Sequence, residues 1–194
     1  MAKVGSRERV LAVAEDLFYR QGFLATSVDE IVAQARVSKS NFYYHFRSKE
    51  ELGLDVLDRR AASLREEMDR SLCDPSLSPR DRLQSFLASL IRTQEEWLRN
   101  GGCPFGNMVV EVSEHHESMR RRLSELFRGL HRSLTSVVEE GQELGEFRNG
   151  VAASDLATLV LQAVQGMQLM TKCEKTIEPA RRSAELLMML LAVR

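Results

Sequence analysis

Apolar positions recur at helical spacing along nearly the whole chain, and short polar or glycine-bearing breaks divide them into helix-length runs. Val10, Val13, Ala14, Leu17 and Phe18 form one stripe over 6–21, closed by Gly22. Val28, Ile31, Val32 and Ala35 form a second stripe barely two turns long, opened by Thr26 or Ser27 with an acid three residues on. The chain turns at Arg36-Val37, and Ser38 caps a third run whose only large apolar residues are Phe42 and Phe46, at i and i+4. Ser48 with Glu51 is a capping box for a longer helix over 48–72, with Leu52, Val56 and Leu57 inward. After the loop CDPSLSP, Ser78 caps and Pro79 opens a helix to about 99 carrying Leu83, Phe86, Leu87, Leu90, Ile91 and Trp97. Asn100-Gly101-Gly102 ends it, and further runs follow over 104–113, 117–143, from 153 or 154 to 172, and 179–193. The pattern predicts an all-α chain of about nine helices. A three-helix N-terminal domain with a helix-turn-helix covers 1–53, a larger helical domain covers 54–194, and the boundary falls inside a helix near Gly53.

The short helices of the first domain have little stability of their own. Two of them around one apolar seam, with a polar outer face, make sense if that face reads something. Arg36, Lys39, Arg47 and Lys49 are basic, and no acid lies between Arg36 and Lys49. Two adjacent tyrosines, Tyr43 and Tyr44, stand beside His45, an odd choice for a face that is only wet. These residue types suit duplex DNA. Lys39, Ser40, Asn41 and Tyr43 are placed to reach base edges, while Thr26, Tyr44, His45 and Lys49 are placed to hold phosphates.

Residues 7–52, RERVLAVAEDLFYRQGFLATSVDEIVAQARVSKSNFYYHFRSKEEL, resemble the DNA-binding domain of tetracycline-repressor-like (TetR-type) transcriptional regulators. The match is long and ordered: Leu-Phe and Gly-Phe at the end of the first helix, then Thr-Ser-Val, Ile-Val, Val-Ser-Lys, Phe-Tyr-Tyr-His-Phe and Ser-Lys-Glu-Glu-Leu. There are two departures. Arg36 stands where the family usually has Gly in the turn, and Ser40 stands where Gly or Ala is common. A side chain in a left-handed turn costs about 1 kcal/mol. The resemblance implies a homodimer formed through the last two helices, two reading heads on a palindromic operator in double-stranded DNA, and a small-molecule effector that controls binding, with repression as the usual mode.

Composition narrows the alternatives. Hydrophobic residues make up 43% and charged residues 28% of 194, and the formal net charge is −1, so a protein that coats DNA through bulk charge is disfavoured while a local basic face is not. Cys73, Cys103 and Cys173 are too scattered for a disulfide framework or a metal site, so no cofactor or metal is expected. The start has no signal-peptide core and no run reaches membrane-spanning length, so the expectation is a cytoplasmic protein with no membrane partner. Cys103 with His115 or His116 is the only pairing that suggests a thiol nucleophile and its base; with no nucleophile elbow or phosphate loop beside it, an enzyme is not expected.

The last two helices are apolar nearly all round: Leu156, Leu159, Val160, Leu161, Val164, Met167, Leu169 and Met170 in one, Leu186, Leu187, Met189, Leu190 and Leu191 in the other. Such helices are buried on two sides, and the second side is expected to be the same pair from another copy. Candidates for an effector pocket are Trp97, Cys103, Phe105, Met108, Val109, Phe127, Val164, Met167 and Gln168. The stretch NGGCPFGNMVVE resembles a Gly-Cys-x-x-Gly-Asn motif in a branch of the same family whose members include electrophile and oxidant sensors, and Lys172 matches a lysine favoured there. Cys103 before a helix N-terminus is therefore both a candidate sensor and a candidate packing residue. A DNA-binding dimer with no small-molecule effector is a further alternative.

Overall fold

Serine caps set the register of the first half of the chain. In the computed structural model, which describes residues 5–96 and 102–193, the elements run α1 (Ser6–Gln21), α2 (Val28–Ala35), α3 (Lys39–His45), α4 (Lys49–Ser71), α5 (Pro79–Glu96), α6 (Pro104–Val112), α7 (Glu117–Glu143), α8 (Ala153–Glu174) and α9 (Glu178–Leu191). Ser27 accepts from the Glu30 N–H at 3.1 Å, Ser38 from Asn41 at 3.1 Å, Ser48 from Glu51 at 3.0 Å and Ser78 from Asp81 at 3.2 Å. Each satisfies one orphan donor of a helix start. Between the two candidates for the second cap, the structure selects Ser27. The box expected at Ser48 is shifted by one residue: the Glu51 carboxylate accepts from the Arg47 N–H at 2.6 Å.

Contacts gather the described residues into two units. One joins Met1–Ala62 with Pro104–Ser124, and the other joins Ser63–Cys103 with Glu125–Arg194. In the first unit, α1 to α3 close on Val10, Ala14, Ile31 and Phe42, all fully buried, with Phe18, Phe23 and Phe46 beside them. Gly53, where the sequence placed the boundary, lies inside this unit. A Cβ there would meet Met119 Cε and Phe23 Cε2 at 2.9 Å, so the glycine lets α4 press close to both. Asp58 pairs with Arg122 at 2.5 Å, and Glu50 receives His116 Nδ1 at 3.1 Å and the Ser118 hydroxyl. Those two partners hold the Glu50 carboxyl below its ordinary pKa.

The second unit is a helical bundle around Leu72, Leu83, Phe86, Leu134, Val138, Phe147, Ala157 and Val160. Gly141 is essential to it: a Cβ would stand 2.2 Å from the Phe147 ring, and the Gly141 carbonyl accepts the N–H groups of both Glu146 and Phe147. On α8 and α9 the apolar surface divides between a buried side and an exposed side. Leu156, Val160 and Val164 of α8 and Ala184, Leu187 and Leu191 of α9 are buried, while Leu159, Leu169, Met170, Leu186, Met189 and Leu190 are exposed. Gly166 sits on the exposed stripe of α8, with nothing within 4 Å of where its Cβ would be. Among the described residues no helix is long and apolar enough to cross a membrane.

Candidate nucleic-acid interface

α3 is seven residues long, too short to persist alone, and two features hold it in place. Its start is capped by Ser38, and Phe42 and Phe46 sink to 0% and 1% exposure with ring centroids 5.7 Å apart. The turn before it places Arg36 at φ 54°, ψ 50°, the left-handed conformation where the family usually has glycine; the Val37 N–H closes the turn on the Val32 carbonyl at 3.1 Å. This costs about 1 kcal/mol relative to glycine and leaves the following helix in an ordinary register.

With its apolar side buried, α3 turns a polar side outward. Lys39, Ser40, Tyr43 and Tyr44 are all exposed, Tyr44 to 82%. Lys39 pairs with Asp29 of α2 at 2.7 Å, an ion pair in solvent that raises the lysine's pKa. A pair this exposed is weak and yields readily to phosphate or a base edge. The sequence offered no sign of it, because Asp29 lies ten residues back and across the turn. Ser40 Oγ lies 3.3 Å from Ser38 Oγ. Asn41 is half-buried and its Oδ1, cut off from solvent, has no partner. His45, also half-buried, meets Ser6 Oγ through Nε2 at 2.9 Å and carries the Tyr44 ring edge-on at 4.9 Å.

Two residues expected to hold phosphates are engaged by the fold itself, Thr26 buried and Lys49 half-buried. Thr26 is 1% exposed, and its hydroxyl donates to the Gly22 carbonyl at 2.7 Å. The Lys49 ammonium donates to the carbonyls of Phe23 and Thr26, both at 2.9 Å, and lies 4.5 Å from the centre of the Phe23 ring. Burial pulls its pKa down, and the nearby Glu111 carboxylate opposes that. Glu111 in turn accepts the Leu24 N–H at 2.9 Å. The loop after α1 is therefore tied by Lys49 and Glu111, a role that local patterning did not suggest because the partners are 26 and 87 residues apart.

The expected effector residues fall in both units. Phe105 and Met108 are buried, and Val109 is half-buried, in the first unit; Cys103 and Phe127, both half-buried, and Val164, Met167 and Gln168 belong to the second. Of these, Val164, Met167 and Gln168 line one cavity together with residues of α5 and Ala180 of α9. Trp97 lies outside the described residues. Cys103 stands one residue before α6, and Lys172 is half-buried in the last turn of α8. The described residues hold no cluster able to bind a metal ion.

Comparison with known proteins agrees with this arrangement. The family model described as "Bacterial regulatory proteins, tetR family" matches residues 10–56, and "Tetracyclin repressor-like, C-terminal domain" matches 79–187. The HTH-type transcriptional repressor DhaR of Mycobacterium sp. (strain GP1) is 33% identical over 179 residues, 92% of this chain and 88% of that one. The HTH-type transcriptional repressor NemR of Escherichia coli (strain K12) is 31% identical over 141 residues, 71% and 69% of the two chains. Among solved structures, the reduced form of E. coli NemR superposes with a TM-score of 0.88 at 25% identity, covering 97% of this chain and 98% of that one. A regulatory protein TetR from Rhodobacter sphaeroides, at TM-score 0.89 and 23% identity over 96% and 99%, shares the fold. A capped, phenylalanine-anchored helix that faces solvent with lysine and tyrosine, and two domain matches in the expected order, place this chain in the TetR family of DNA-binding transcriptional regulators, which are not enzymes.

Proposed function

We propose that the chain is a cytoplasmic homodimeric repressor that binds a palindromic operator through α3 and is released when a small apolar or electrophilic effector occupies its C-terminal part. The observation that carries the reading is the exposed side of α3, with Lys39, Ser40 and Tyr43 turned outward above a buried Phe42. These three, with Asn41, are assigned to base edges. Tyr44 and His45 are assigned to phosphates. Thr26 and Lys49 are assigned to shaping the loop that supports α3. The reading head is residues 1–53 and the effector and dimerisation part is 54–194, with α4 leading from one to the other. Effector binding lowers operator affinity by the difference in its binding to two states of the dimer. The exposed apolar residues of α8 and α9 are the surface for the second copy.

The test is a mobility shift with the DNA upstream of the protein's own gene, against random duplex, repeated with apolar and electrophilic compounds. A sequence-specific complex that these compounds dissolve is the expected result; equal binding to all duplexes removes the reading. Lys49→Met sharpens it. Loss of its bonds to the loop should cost about 1–2 kcal/mol of stability, allowing for its partial exposure. The dependence of log affinity on log salt should keep its slope, because the ammonium is engaged within the protein. A slope shallower by about one phosphate contact, measured by anisotropy titration, would return Lys49 to the DNA.

A second reading, release by reaction at Cys103, is favoured by the position of that thiol directly before α6. Under it, a thiol-reactive electrophile dissolves the operator complex of the wild type and leaves that of Cys103→Ser intact. Equal release of both proteins removes it.

A further inference from the structure

One cavity of the second unit carries an unmet chemical demand. It lies between α5, α8 and α9, with Leu87, Ile91, Val164 and Met167 among its walls and two glutamines, Gln94 and Gln168; no ionisable side chain is among its lining residues. Gln94 is paired at both ends of its amide: its Oε1 accepts the Gly102 N–H at 3.0 Å and its Nε2 donates to the Gly102 carbonyl at 3.2 Å. Gln168 is not. It is 7% exposed, and its Oε1 meets no donor. One turn further along α8, Thr171 is completely buried, and its hydroxyl also has no partner. A buried acceptor left unpaired is costly, and natural interiors keep few of them.

The space is small. About 10 Å³ is open to the centre of a water-sized sphere, room for about one water. Leu90, Ile91 and Met167 in its wall are only half-buried, and an unbranched methionine repacks readily, so a modest ligand can widen the space. The lining sets what enters. Without an opposite charge to meet it, an ionised ligand would lose hydration and gain no pairing. An aliphatic body suits the walls, and a hydrogen-bond donor suits the one open acceptor.

We propose that this cavity is the effector site and that it selects a small uncharged molecule with an aliphatic body and a single hydroxyl or amide N–H donor directed at Gln168 Oε1. This rests on the regulator reading above and specifies its effector. The ligand is held reversibly by the bond to Gln168 and by contact with the walls, and no covalent step is involved.

The test compares two isomers, butan-1-ol and methyl propyl ether, which differ in having or lacking the donor. Calorimetric titration of the full dimer should give a dissociation constant three- to tenfold lower for the alcohol, the range expected for one neutral hydrogen bond. In Gln168→Met the preference should vanish, and the unliganded variant should melt higher than the wild type because the unpaired acceptor is gone. Ala180→Val, which fills part of the same space, should weaken both compounds. No alcohol preference in the wild type, or a preference that survives Gln168→Met, overturns the proposal; the wild-type ratio and Ala180→Val decide it should Gln168→Met not fold. Operator anisotropy run in parallel separates the two readings. Release of the wild-type operator complex at a three- to tenfold lower alcohol concentration than the Gln168→Met complex is the expected result. Release of both proteins at the same alcohol concentration overturns this site and leaves the regulator standing, while no specific operator complex in either protein sinks the regulator reading itself.

Discussion

Leu186→Glu with Leu190→Glu on α9 is expected to convert the dimer to a monomer and to lower operator affinity by at least about a hundredfold, the scale on which linking two binding modules raises affinity. Both leucines are exposed, at 50% and 58%, on one side of a helix whose other side holds Ala184, Leu187 and Leu191 in the core. The two glutamates therefore change the outer stripe and leave the bundle's own packing in place. In a dimer they would be buried without partners, a cost of several kcal/mol per charge. Sedimentation or light scattering reads the mass, and thermal unfolding checks that each chain still folds. A glutamate double variant that remains dimeric at micromolar concentration would move the self-association surface away from α8 and α9. A monomer that binds its operator as tightly as the wild type would refute the two-headed reading.

Phe42→Ala is the second large effect. The side chain is fully buried and anchors the whole of α3 together with Phe46. Removing a phenylalanine from such a site costs about 3–5 kcal/mol, a large share of the stability of a small domain. The reading helix should detach, and specific operator binding should be lost along with the head's cooperative melting transition. Tyr44→Ala, two residues along the helix and at 82% exposure, is the matched control. It should change stability by no more than about 0.5 kcal/mol while still weakening binding to all duplexes alike. If Phe42→Ala binds its operator normally, α3 is not the element that reads DNA.

The sequence was most readable where the physics is local. Helix starts at Ser27, Ser38, Ser48 and Ser78 depend on a hydroxyl and an N–H three residues on, and all four form. Arg36 was readable as a left-handed residue through the family resemblance, because it stands where that family usually has glycine in the turn. Phe42 and Phe46 were readable as anchors because nothing else in their helix was apolar. What sequence distance conceals is which groups meet. Lys49 looked like a phosphate ligand by its charge and neighbours, yet three carbonyls of a loop some two dozen residues earlier hold its ammonium. Thr26 looked like an N-terminal cap, but the next residue took that role and turned the threonine inward. The grouping of 104–124 with the N-terminal helices has no local signature either, since it rests on pairs such as Glu50 with Ser118 and Leu24 with Glu111. The spread of the expected effector residues over two units follows from the same cause.

The bare stretch around Gly166 acquires meaning under the two-copy arrangement. In water, an unsubstituted α-carbon in mid-helix is a weakness of roughly 0.5–1 kcal/mol relative to alanine. Beneath another helix it becomes a notch, where two main chains can approach to the short end of the 8–10 Å spacing usual between helix axes. A crossing fixed at such a notch cannot slide freely, so the angle between the paired copies, and with it the separation of the two DNA half-sites they span, would be set in part by a residue that has no side chain at all.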